Sequence, residues 1–416
     1  LKRIKDRILV IGLGRVGLPF LLFLENKGFK LIGLDSNKQL IKKLKKKKMP
    51  FLETGCNKLL SRSKAKFYSS YNELNASDFK YIFITVGTPL REGIEVNLSS
   101  LNLVINDLSK IIRKQHMIIL RSTIGPETTN YVKNKLEKLT KYKVGKDIYL
   151  AFCPERMAEN KAIKELKEMP QIIGVEDDRS FKLVEKIFKK FKIKIFRTTY
   201  LSAELVKLFN NNYRYLEFAI ANQFAIIANN YNQNIYEIIK MCNEKYPRGR
   251  IYSPGLTGGT CLRKDFGMLN EKNSGTDLFL SAWKVNEYIP FHLAETICEK
   301  FNLKGKKIGI LGYTFKKDSD DVRESLVPKL IRQIEKKVPQ TIKISEPFIK
   351  NKYIDNYENK DMVYISKNSD IIFLAINHTK FKKQIIFKNL RKGTKIIDIW
   401  NHFKTGRFIF EKWKKL

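Results

Sequence analysis

Short apolar runs separated by amphipathic stretches recur along the first part of the chain. Each run has the length of one strand and lacks the polar alternation of a strand with one face in water, as expected for strands buried on both faces of a parallel sheet. The runs lie at residues 7–11, 31–35, 81–86, 117–120 and 148–152. The stretches between them carry apolar residues at helical spacing, so the pattern predicts alternating strands and helices.

The pattern changes near residue 201. Residues 201–230 contain neither glycine nor proline and keep apolar residues at helical spacing, which predicts one long helix, of a kind that often forms a subunit interface. A second α/β unit starts near residue 303. Its strand-like runs lie at residues 307–312, 342–344, 371–375 and 395–398.

These elements predict an α/β protein of two Rossmann-like, doubly wound domains joined by a long central helix and a helical middle domain. We place the domains at residues 1–200, 201–300 and 301–416. A chain of 416 residues is long enough for two or three domains. A cleft between two such domains is the expected place for a reaction of two ligands.

The five cysteines are scattered, odd in number and without a CxxC pair. This argues against a disulfide framework and a structural zinc site, and predicts reduced thiols in a cytoplasmic protein without a metal site. No apolar run approaches the roughly 18 residues that a membrane span needs. Residues 1–6 are charged and unlike a signal peptide, so we expect no membrane association.

The formal net charge of +38 raises the alternative of a basic nucleic-acid-binding protein built on an inactive Rossmann scaffold. Such a protein is expected to cluster its basic residues, interleaved with aromatics, on one face. Here the lysines are spread along the chain, and only residues 42–48 form a dense run. The charge therefore indicates a compositional bias and no nucleic-acid partner, although a positive field would attract an anionic substrate.

A glycine-rich turn follows the first predicted strand. Gly12, Gly14 and Gly17 form a GxGxxG pattern between a strand and an apolar helix, and Asp35 ends the next strand about 20 residues on. The glycines let the backbone approach a pyrophosphate at the helix N-terminus. An acid at the second strand end accepts hydrogen bonds from a ribose diol, so the pattern predicts NAD rather than NADP.

Polar side chains also follow the later strands of the first domain. Thr88, Ser122, Thr123 and Glu155 all come directly after predicted strands, where each alone would fit a cap or turn residue equally well. Ligands of open α/β sheets bind outside the carboxyl ends of the strands. Together these residues therefore predict the functional edge of the sheet.

The third candidate feature is a glycine pair followed by a cysteine. If a helix begins near Gly259, Cys261 and Asp265 lie on one face of its first turns. The positive helix end and Lys264 would then stabilise a Cys261 thiolate, although a buried structural cysteine is the alternative. Lys207 and Asn211 are four residues apart and share a face of the long helix.

These motifs, in this order, resemble the UDP-glucose/GDP-mannose dehydrogenase family of nucleotide-sugar 6-dehydrogenases over nearly the whole chain. The matching segments are residues 12–19, Val86-Gly87-Thr88-Pro89, Ser122-Thr123-Ile124, Pro154-Glu155 with Glu159, the set Ala203, Glu204, Lys207 and Asn211, residues 258–265, and Phe315-Lys316 with Arg323-Glu324-Ser325. The resemblance implies an NAD-binding Rossmann domain, a central helical dimerisation domain with the cysteine loop, and a UDP-sugar-binding Rossmann-like domain.

The resemblance also implies the reaction. Family members oxidise the C6 hydroxyl of a nucleotide sugar to a carboxylate with two NAD+, through a thiohemiacetal and a thioester on a cysteine that corresponds to Cys261. We expect a UDP-N-acetylhexosamine or UDP-glucose as substrate, a homodimer or higher homo-oligomer, and a role in polysaccharide biosynthesis. A GDP-mannose 6-dehydrogenase is the alternative within the family, and a two-electron 6-phosphogluconate or 3-hydroxyacyl-type dehydrogenase is the alternative outside it.

The family's residue roles carry over position by position. The implied catalytic residues are Cys261, Lys207, Asn211, Asp265, Glu155 and Thr123. The implied NAD-binding residues are Gly12, Gly14, Arg15, Val16, Gly17, Asp35, Val86, Thr88, Ser122, Thr123, Glu159, Lys264 and Arg323. The implied substrate-binding residues are Glu155, Lys207, Asn211, Arg250, Tyr252, Gly258, Phe315 and Lys316.

The sequence departs from the family pattern at a few positions. Ser345-Glu346-Pro347 stands where Asp-Pro is usual, and residues 398–401 lack an arginine that many members carry. Pro154-Glu155-Arg156 is similar to members that act on UDP-N-acetylhexosamines, whereas the Cys-x-x-Lys-Asp ending at Asp265 is similar to UDP-glucose members. The departures bear on the sugar and the base rather than on the reaction.

Overall fold

The computed structural model describes residues 4–89, 97–270, 275–404 and 409–410. The chain forms two compact units. The first unit contains residues 1–210 and 267–274, and the second contains residues 211–266 and 275–416. This division cuts across the predicted middle domain of residues 201–300, and the three-domain division stays a prediction.

The first unit is built on a mostly parallel sheet that has eight strands among the described residues, in the order β3-β2-β1-β4-β5-β6-β7-β8. Its first strand pairs in register with two neighbours, Ile8 lying opposite both Leu31 and Tyr81. Only the pairing of β6 with β7 is antiparallel within this part of the structure. The strands are β1 (Ile8–Ile11), β2 (Leu31–Leu34), β3 (Lys66–Tyr68), β4 (Tyr81–Ile84), β5 (Met117–Leu120), β6 (Tyr149–Phe152), β7 (Gln171–Gly174) and β8 (Ile195–Thr198).

Alternate residues of these strands enter two separate hydrophobic cores, one on each face of the sheet. Val10 and Phe83 belong to one core, and Leu9 and Ile82 belong to the other. The continuous apolar runs of the sequence follow from this burial on both faces. The covering helices are α1 (Gly17–Asn26), α2 (Lys38–Lys45), α3 (Cys56–Arg62), α4 (Ser99–Ile111), α5 (Thr128–Thr140), α6 (Ala162–Glu168) and α7 (Asp178–Phe188).

The predicted long helix is α8 (Tyr200–Asn230), which belongs to the first unit up to residue 210 and to the second unit beyond it. It is followed by α9 (Ile235–Asn243), α10 (Thr260–Asn270) and α11 (Asp277–Lys300). Within the second unit, one face of α8 exposes large apolar side chains. Tyr213, Ile220 and Phe224 are exposed on the helix, at spacings of seven and four residues that keep them on one stripe, and the exposed Tyr231 follows directly after its last residue.

The second unit contains another mostly parallel sheet, with seven strands among the described residues in the order β11-β12-β10-β9-β13-β14-β15. Antiparallel pairings join β11 to β12 and β14 to β15. The strands are β9 (Lys307–Leu311), β10 (Thr341–Ser345), β11 (Tyr353–Ile354), β12 (Tyr357–Asn359), β13 (Ile371–Leu374), β14 (Lys395–Asp398) and β15 (Ile409–Phe410). The helices are α12 (Val327–Glu335), α13 (Met362–Asn368) and α14 (Lys383–Lys388).

The two sheets and the helical region between them in sequence confirm the predicted fold class. In the second sheet, Ile310 and Phe373 face one core while Leu311 and Leu374 face another, as in the first. In the described part of the chain, no helix is both long and apolar enough to span a membrane.

Candidate active site

The glycine turn after β1 requires its glycines for three different reasons. Gly12 has φ of +87°, and a Cβ there would lie 3.0 Å from the Val86 nitrogen. A Cβ on Gly17 would lie 1.8 Å from the Gly12 carbonyl oxygen, so this glycine permits the close packing of α1. A Cβ on Gly14 would meet no atom within 4 Å, so its backbone is open to a ligand. The turn is therefore shaped for a phosphate at the start of α1, next to Arg15 and Val16.

Asp35 stands at the end of β2 beside this turn. Its Oδ2 accepts a hydrogen bond from the Leu13 backbone N–H at 2.7 Å, and its Oδ1 accepts one from the Asn37 N–H at 2.8 Å. Each carboxylate oxygen keeps acceptor capacity for a ribose hydroxyl. A cavity of about 640 Å³ adjoins it, lined by residues that include Gly12, Gly14, Asp35, Val86 and Asp107. The hydrogen-bond donors and acceptors at the glycine turn and at Asp35 fit NAD.

Two hydrogen bonds bring the polar strand ends of β4 and β5 together. The Ser122 hydroxyl donates to the Val86 carbonyl at 2.6 Å, and the Thr88 hydroxyl donates to the Thr123 carbonyl at 2.5 Å. Because β4 and β5 are parallel neighbours, these four predicted NAD-binding residues meet at one edge of the sheet. Their contacts with NAD itself stay a prediction.

The glycine turn also meets the segment after β6. Arg15 lies 4.0 Å from Glu159 as an ion pair, and its guanidinium lies over the Phe51 ring at 5.1 Å from the centroid. Both charged side chains are largely shielded from solvent. The structure thus places these two predicted cofactor-binding residues side by side.

Glu155 is buried and tightly bound at the end of β6. Its Oε1 accepts hydrogen bonds from the backbone N–H groups of Arg156 and Met157 at 2.7 and 2.8 Å. Its Oε2 accepts a hydrogen bond from the Arg121 guanidinium. Both oxygens are therefore held in place, and Oε2, which accepts one bond from Arg121, keeps a lone pair that could accept a hydrogen bond from a water.

Arg121 is the residue of this site that the sequence did not single out. It is 1% exposed, its guanidinium lies 4.2 Å from the centre of the Phe20 ring, and it donates to the Cys153 carbonyl at 3.2 Å. A buried guanidinium needs a carboxylate and several acceptors, which Glu155 and this carbonyl supply. The sequence signal that could have identified Arg121 is its position, directly after a predicted buried strand and directly before Ser122.

In the second unit, Asn211 and Asp265 join helices α8 and α10. The Asn211 amide donates to Asp265 Oδ2 at 2.5 Å, and the neighbouring Asn212 amide donates to the Asp265 carbonyl at 3.1 Å. Asp265 is completely buried, and among the described residues its Oδ1 accepts no hydrogen bond. The ammonium of Lys264 lies 3.9 Å from that oxygen. A buried carboxylate oxygen with spare acceptor capacity is suited to hold a water or a hydroxyl proton.

Lys207 is the other candidate residue on helix α8. It is buried, at 7% exposure, in the part of the helix that belongs to the first unit. The helix carries it one turn before Asn211, the spacing at which side chains share a face.

The glycine pair before Cys261 is explained by what touches it. A Cβ on Gly258 would lie 2.6 Å from the Glu324 carbonyl oxygen. Gly259 has φ of +101°, its N–H donates to that same carbonyl at 2.9 Å, and a Cβ there would lie 2.7 Å from the Phe315 ring. Helix α10 then begins at Thr260. Only glycines allow the segment after β9 to pack against the start of this helix.

Cys261 lies in the first turn of α10, and its side chain lies outside what the structure describes. Two other cysteines are unsuited to nucleophilic chemistry. Burial raises the pKa of both the Cys56 thiol and the Cys153 thiol to about 12, so both stay protonated at neutral pH. Burial also raises the pKa of Cys298.

The remaining predicted substrate residues all belong to the second unit. The Lys316 ammonium lies 5.4 Å from the centre of the adjacent Phe315 ring, and the Tyr252 ring lies 5.9 Å from the Phe218 ring. Arg250 is exposed. Arg323, predicted to lie on the NAD side, also belongs to this unit and forms a two-pronged pair with Asp321 through contacts of 2.9 and 2.6 Å. Its contact with NAD stays a prediction.

A parallel sheet with a glycine turn, an acid at the second strand end and a polar strand edge defines a dinucleotide-binding dehydrogenase. Models of the three domains of the UDP-glucose/GDP-mannose dehydrogenase family match this chain: the NAD binding domain at residues 6–192, the central domain at 201–288 and the UDP binding domain at 309–405. The chain belongs to this family, and it is an NAD-dependent nucleotide-sugar dehydrogenase.

Relatives and solved structures agree. The chain is 32% identical over 388 residues to a UDP-N-acetyl-D-mannosamine dehydrogenase of Pyrococcus horikoshii, covering 90% of each chain. It superimposes on the structure of a UDP-D-ManNAc dehydrogenase from that organism with a TM-score of 0.87 and 30% identity, covering 95% of this chain and 96% of the other. The UDP-N-acetyl-mannosamine dehydrogenase of Staphylococcus aureus gives a TM-score of 0.84 and 27% identity, covering 95% of each chain.

Proposed function

We propose that this protein oxidises the C6 hydroxyl of UDP-N-acetyl-D-mannosamine to the carboxylate, with two NAD+ reduced per sugar. The observation that carries the proposal is the buried hydrogen bond between Asn211 and Asp265, which joins the two helices that bear the family's catalytic motifs. The choice of sugar is supported by the relatives, which include UDP-N-acetyl-D-mannosamine dehydrogenases of Pyrococcus horikoshii, Methanocaldococcus jannaschii and Campylobacter jejuni.

In the first oxidation, the substrate alcohol loses a hydride from C6 and a proton from its hydroxyl. NAD+ held at the glycine turn and Asp35 would supply the hydride acceptor for this step and for the second oxidation. Asp265 takes the hydroxyl proton, directly or through a water, at the Oδ1 atom that has acceptor capacity. The Asn211 amide and the Lys207 ammonium stabilise the negative charge that develops on the substrate oxygen.

In the second oxidation, the Cys261 thiolate sulfur adds to C6 of the aldehyde, the C=O π bond opens, and the oxygen takes up a proton to give a thiohemiacetal. Loss of a second hydride from C6 and of the hydroxyl proton leaves a thioester. Water then attacks the thioester carbon, the C–S bond breaks, and the products are the carboxylic acid and the free Cys261 thiol. Placement of Cys261 in the first turn of an 11-residue helix supports its role, since the positive helix end favours the thiolate.

The water that cleaves the thioester needs an orienting group. We assign this to Glu155, in line with its position at the carboxyl edge of the first sheet. Its two backbone donors and Arg121 fix the carboxylate in one orientation. Thr123 completes the predicted set at the same edge of the sheet, through its bond with Thr88.

We further propose that the protein is a homodimer, or a higher oligomer built from dimers, with the exposed face of α8 as the interface. The stripe of Tyr213, Ile220 and Phe224, with Tyr231 directly after the helix, supports this, because contiguous exposed apolar side chains on one helix face mark interaction surfaces. A cytoplasmic location and a role in polysaccharide biosynthesis also stay proposals, resting on the unpaired cysteines and on family analogy.

A substrate panel tests the sugar assignment. Purified protein with NAD+ is offered UDP-N-acetylmannosamine, UDP-N-acetylglucosamine, UDP-glucose and GDP-mannose, and NADH formation is followed by its absorbance. We expect the highest kcat/KM with UDP-N-acetylmannosamine. A preference for UDP-glucose or GDP-mannose would contradict the sugar assignment but would still agree with the proposed oxidation at C6. The absence of NADH formation with all of the sugars would contradict the proposed reaction itself.

A further inference from the structure

A buried glutamate holds the segment that follows β9 in the second unit. Glu346, at the end of β10, is 2% exposed. Its Oε2 accepts hydrogen bonds from the backbone N–H groups of Tyr313 and Thr314 at 2.8 and 3.2 Å, and its Oε1 accepts one from the Phe348 N–H at 3.1 Å. The carboxylate therefore fixes the backbone just before Phe315 and Lys316.

A buried histidine holds the other end of the same segment. His378 is completely buried, and its Nδ1 accepts a hydrogen bond from the Asp318 backbone N–H at 2.9 Å. Because Nδ1 accepts, the proton of the neutral ring is on Nε2. Nε2 lies 3.0 Å from Glu346 Oε2 and 3.3 Å from the Thr314 hydroxyl, so the ring donates to the glutamate.

The segment held at both ends is the one that carries the predicted nucleotide-sugar residues. Residues 313–318 leave the carboxyl end of β9, and the Phe315 ring lies against Gly259, two residues before Cys261. Contacts within the second unit therefore run from Glu346 and His378, through this segment, to the start of helix α10. Neither Glu346 nor His378 is among the residues predicted to touch substrate.

We propose that Glu346 and His378 are positioning residues for substrate binding, which fix residues 313–318 so that Phe315 and Lys316 meet the UDP moiety. This inference rests on the proposed function. The charge-assisted bond and the two loop amides converge on one carboxylate oxygen, which leaves the segment little freedom to move. The glutamate stands where an aspartate is usual in the family, and its longer side chain reaches both the loop amides and the imidazole.

A purely structural role would give a different result from a positioning role. A buried polar network that only stabilises the fold would lower the melting temperature when broken, without selecting one ligand over another. Breaking a positioning pair must also weaken UDP binding far more than NAD binding, because the pair holds residues 313–318, whereas the predicted dinucleotide turn lies in the first unit. The second readout separates the two roles.

The test compares the full-length protein with three variants: His378→Gln, Glu346→Gln and the double variant. The matched control is His116→Gln. His116 is also completely buried and also accepts a backbone N–H at Nδ1, from Arg113 at 2.9 Å, but it lies in the first unit. UDP binding is measured by calorimetry, the KM values for UDP-N-acetylmannosamine and NAD+ by steady-state kinetics, and folding by thermal unfolding.

We expect His378→Gln and Glu346→Gln each to weaken UDP binding and raise the sugar-nucleotide KM about tenfold, the value of one well-placed hydrogen bond. The NAD+ KM should change less than about twofold, within the spread of near-neutral substitutions. The double variant should lose less than the product of the two single effects, because both remove the same bond. His116→Gln should lower the melting temperature and leave UDP binding unchanged.

UDP affinity equal to that of the wild type in folded His378→Gln and Glu346→Gln proteins would overturn the proposal. So would equal changes in the UDP and NAD+ constants, or an effect of His116→Gln on UDP as large as that of His378→Gln. The calorimetric readout does not need turnover. If the wild type binds UDP but oxidises no sugar, the proposed function fails while the comparison of UDP affinities still decides the positioning role.

Discussion

The side-chain amide of Asn211 donates a 2.5 Å hydrogen bond to the buried carboxylate of Asp265. Fifty-four positions separate the two residues in the chain, and each was predicted to be catalytic on its own motif. The bond fixes which oxygen of Asp265 is engaged and leaves Oδ1 to act on a proton. The hydrogen bond therefore joins the two motifs within the second unit, and their catalytic role stays a prediction.

Removal of either partner should lower turnover strongly. We expect Asp265→Asn to reduce kcat about 10²- to 10⁴-fold, the usual value of a positioned acid–base group. Asn211→Ala should reduce kcat about 10²- to 10³-fold, because it removes a donor to the developing oxyanion. Steady-state kinetics at saturating NAD+ and UDP-sugar measure both effects.

Asn212→Ala is the matched control for this prediction. Asn212 lies next to Asn211 on the same helix and donates to the Asp265 backbone carbonyl at 3.1 Å instead of the carboxylate. Its loss should cost stability, about 1 kcal/mol for one hydrogen bond, with a much smaller effect on kcat. Equal losses of kcat in the Asn211 and Asn212 variants would show that Asn211 acts only through packing.

Thiol reactivity should separate Cys261 from the other cysteines. We expect iodoacetamide at pH 7.5 to alkylate Cys261 faster than the exposed Cys242, because the helix N-terminus favours its thiolate. Cys56 and Cys153 should stay unmodified in the folded protein, since burial raises the pKa of each thiol to about 12. Peptide mapping by mass spectrometry measures the rates.

Substrate protection is the control for the alkylation experiment. Saturating UDP-sugar should slow modification of Cys261 and leave that of Cys242 unchanged. Alkylation of Cys261 no faster than that of Cys242 would contradict an activated thiolate.

The carboxylate of Asp35 should determine the preference for NAD over NADP. Asp35→Asn should lower the ratio of kcat/KM for NAD to that for NADP by about tenfold or more, since it weakens the ribose acceptor and removes the charge that repels a 2′-phosphate. Asp107→Asn is the matched control, because Asp107 lines the same cavity from helix α4 and pairs with Lys110. An unchanged ratio in Asp35→Asn, or equal changes in both variants, would place the adenosine ribose elsewhere.

His116 should make the folded protein less stable as the pH falls. Burial, the largest cause, lowers the pKa of its imidazole in the folded state. The unfolded chain therefore takes up a proton near pH 6.5 that the folded chain still excludes, and stability falls below that pH by up to about 1.4 kcal/mol per pH unit. Urea unfolding between pH 7.5 and 5 measures this loss, and His116→Gln should show a shallower pH dependence. Equal slopes in the two proteins would contradict the assignment.

Sequence patterns predicted the parts of the fold that are encoded locally. The apolar run before Gly12 and the acid after the second run identify β1, β2 and the dinucleotide turn. Burial on both faces makes a strand continuously apolar, and the tight turn requires glycines, so both features are visible in the sequence. The pattern did not identify β7 and β8, or the strands of two or three residues, β3, β11, β12 and β15. The shortest of these strands are defined by pairing with a neighbour rather than by their own composition.

The site was predictable only in part for the same reason. Sequence motifs identified Asp265 and Asn211 as candidate residues. Their hydrogen bond is a tertiary contact, which residue spacing along the chain does not predict. Arg121 and Glu346 were missed because their roles depend on burial and on partners far along the chain, 34 and 32 positions away at Glu155 and His378. Such buried polar residues become recognisable only when the groups they satisfy are seen.

The number of NADH molecules formed per sugar tests the four-electron reaction most directly. Limiting UDP-N-acetylmannosamine is oxidised to completion with excess NAD+, and NADH is counted against the acid formed, with Cys261→Ser in parallel. The account predicts two NADH and one carboxylate per sugar for the wild type, and loss of acid formation in the variant. One NADH per sugar with release of the aldehyde, or full activity in Cys261→Ser, would contradict it.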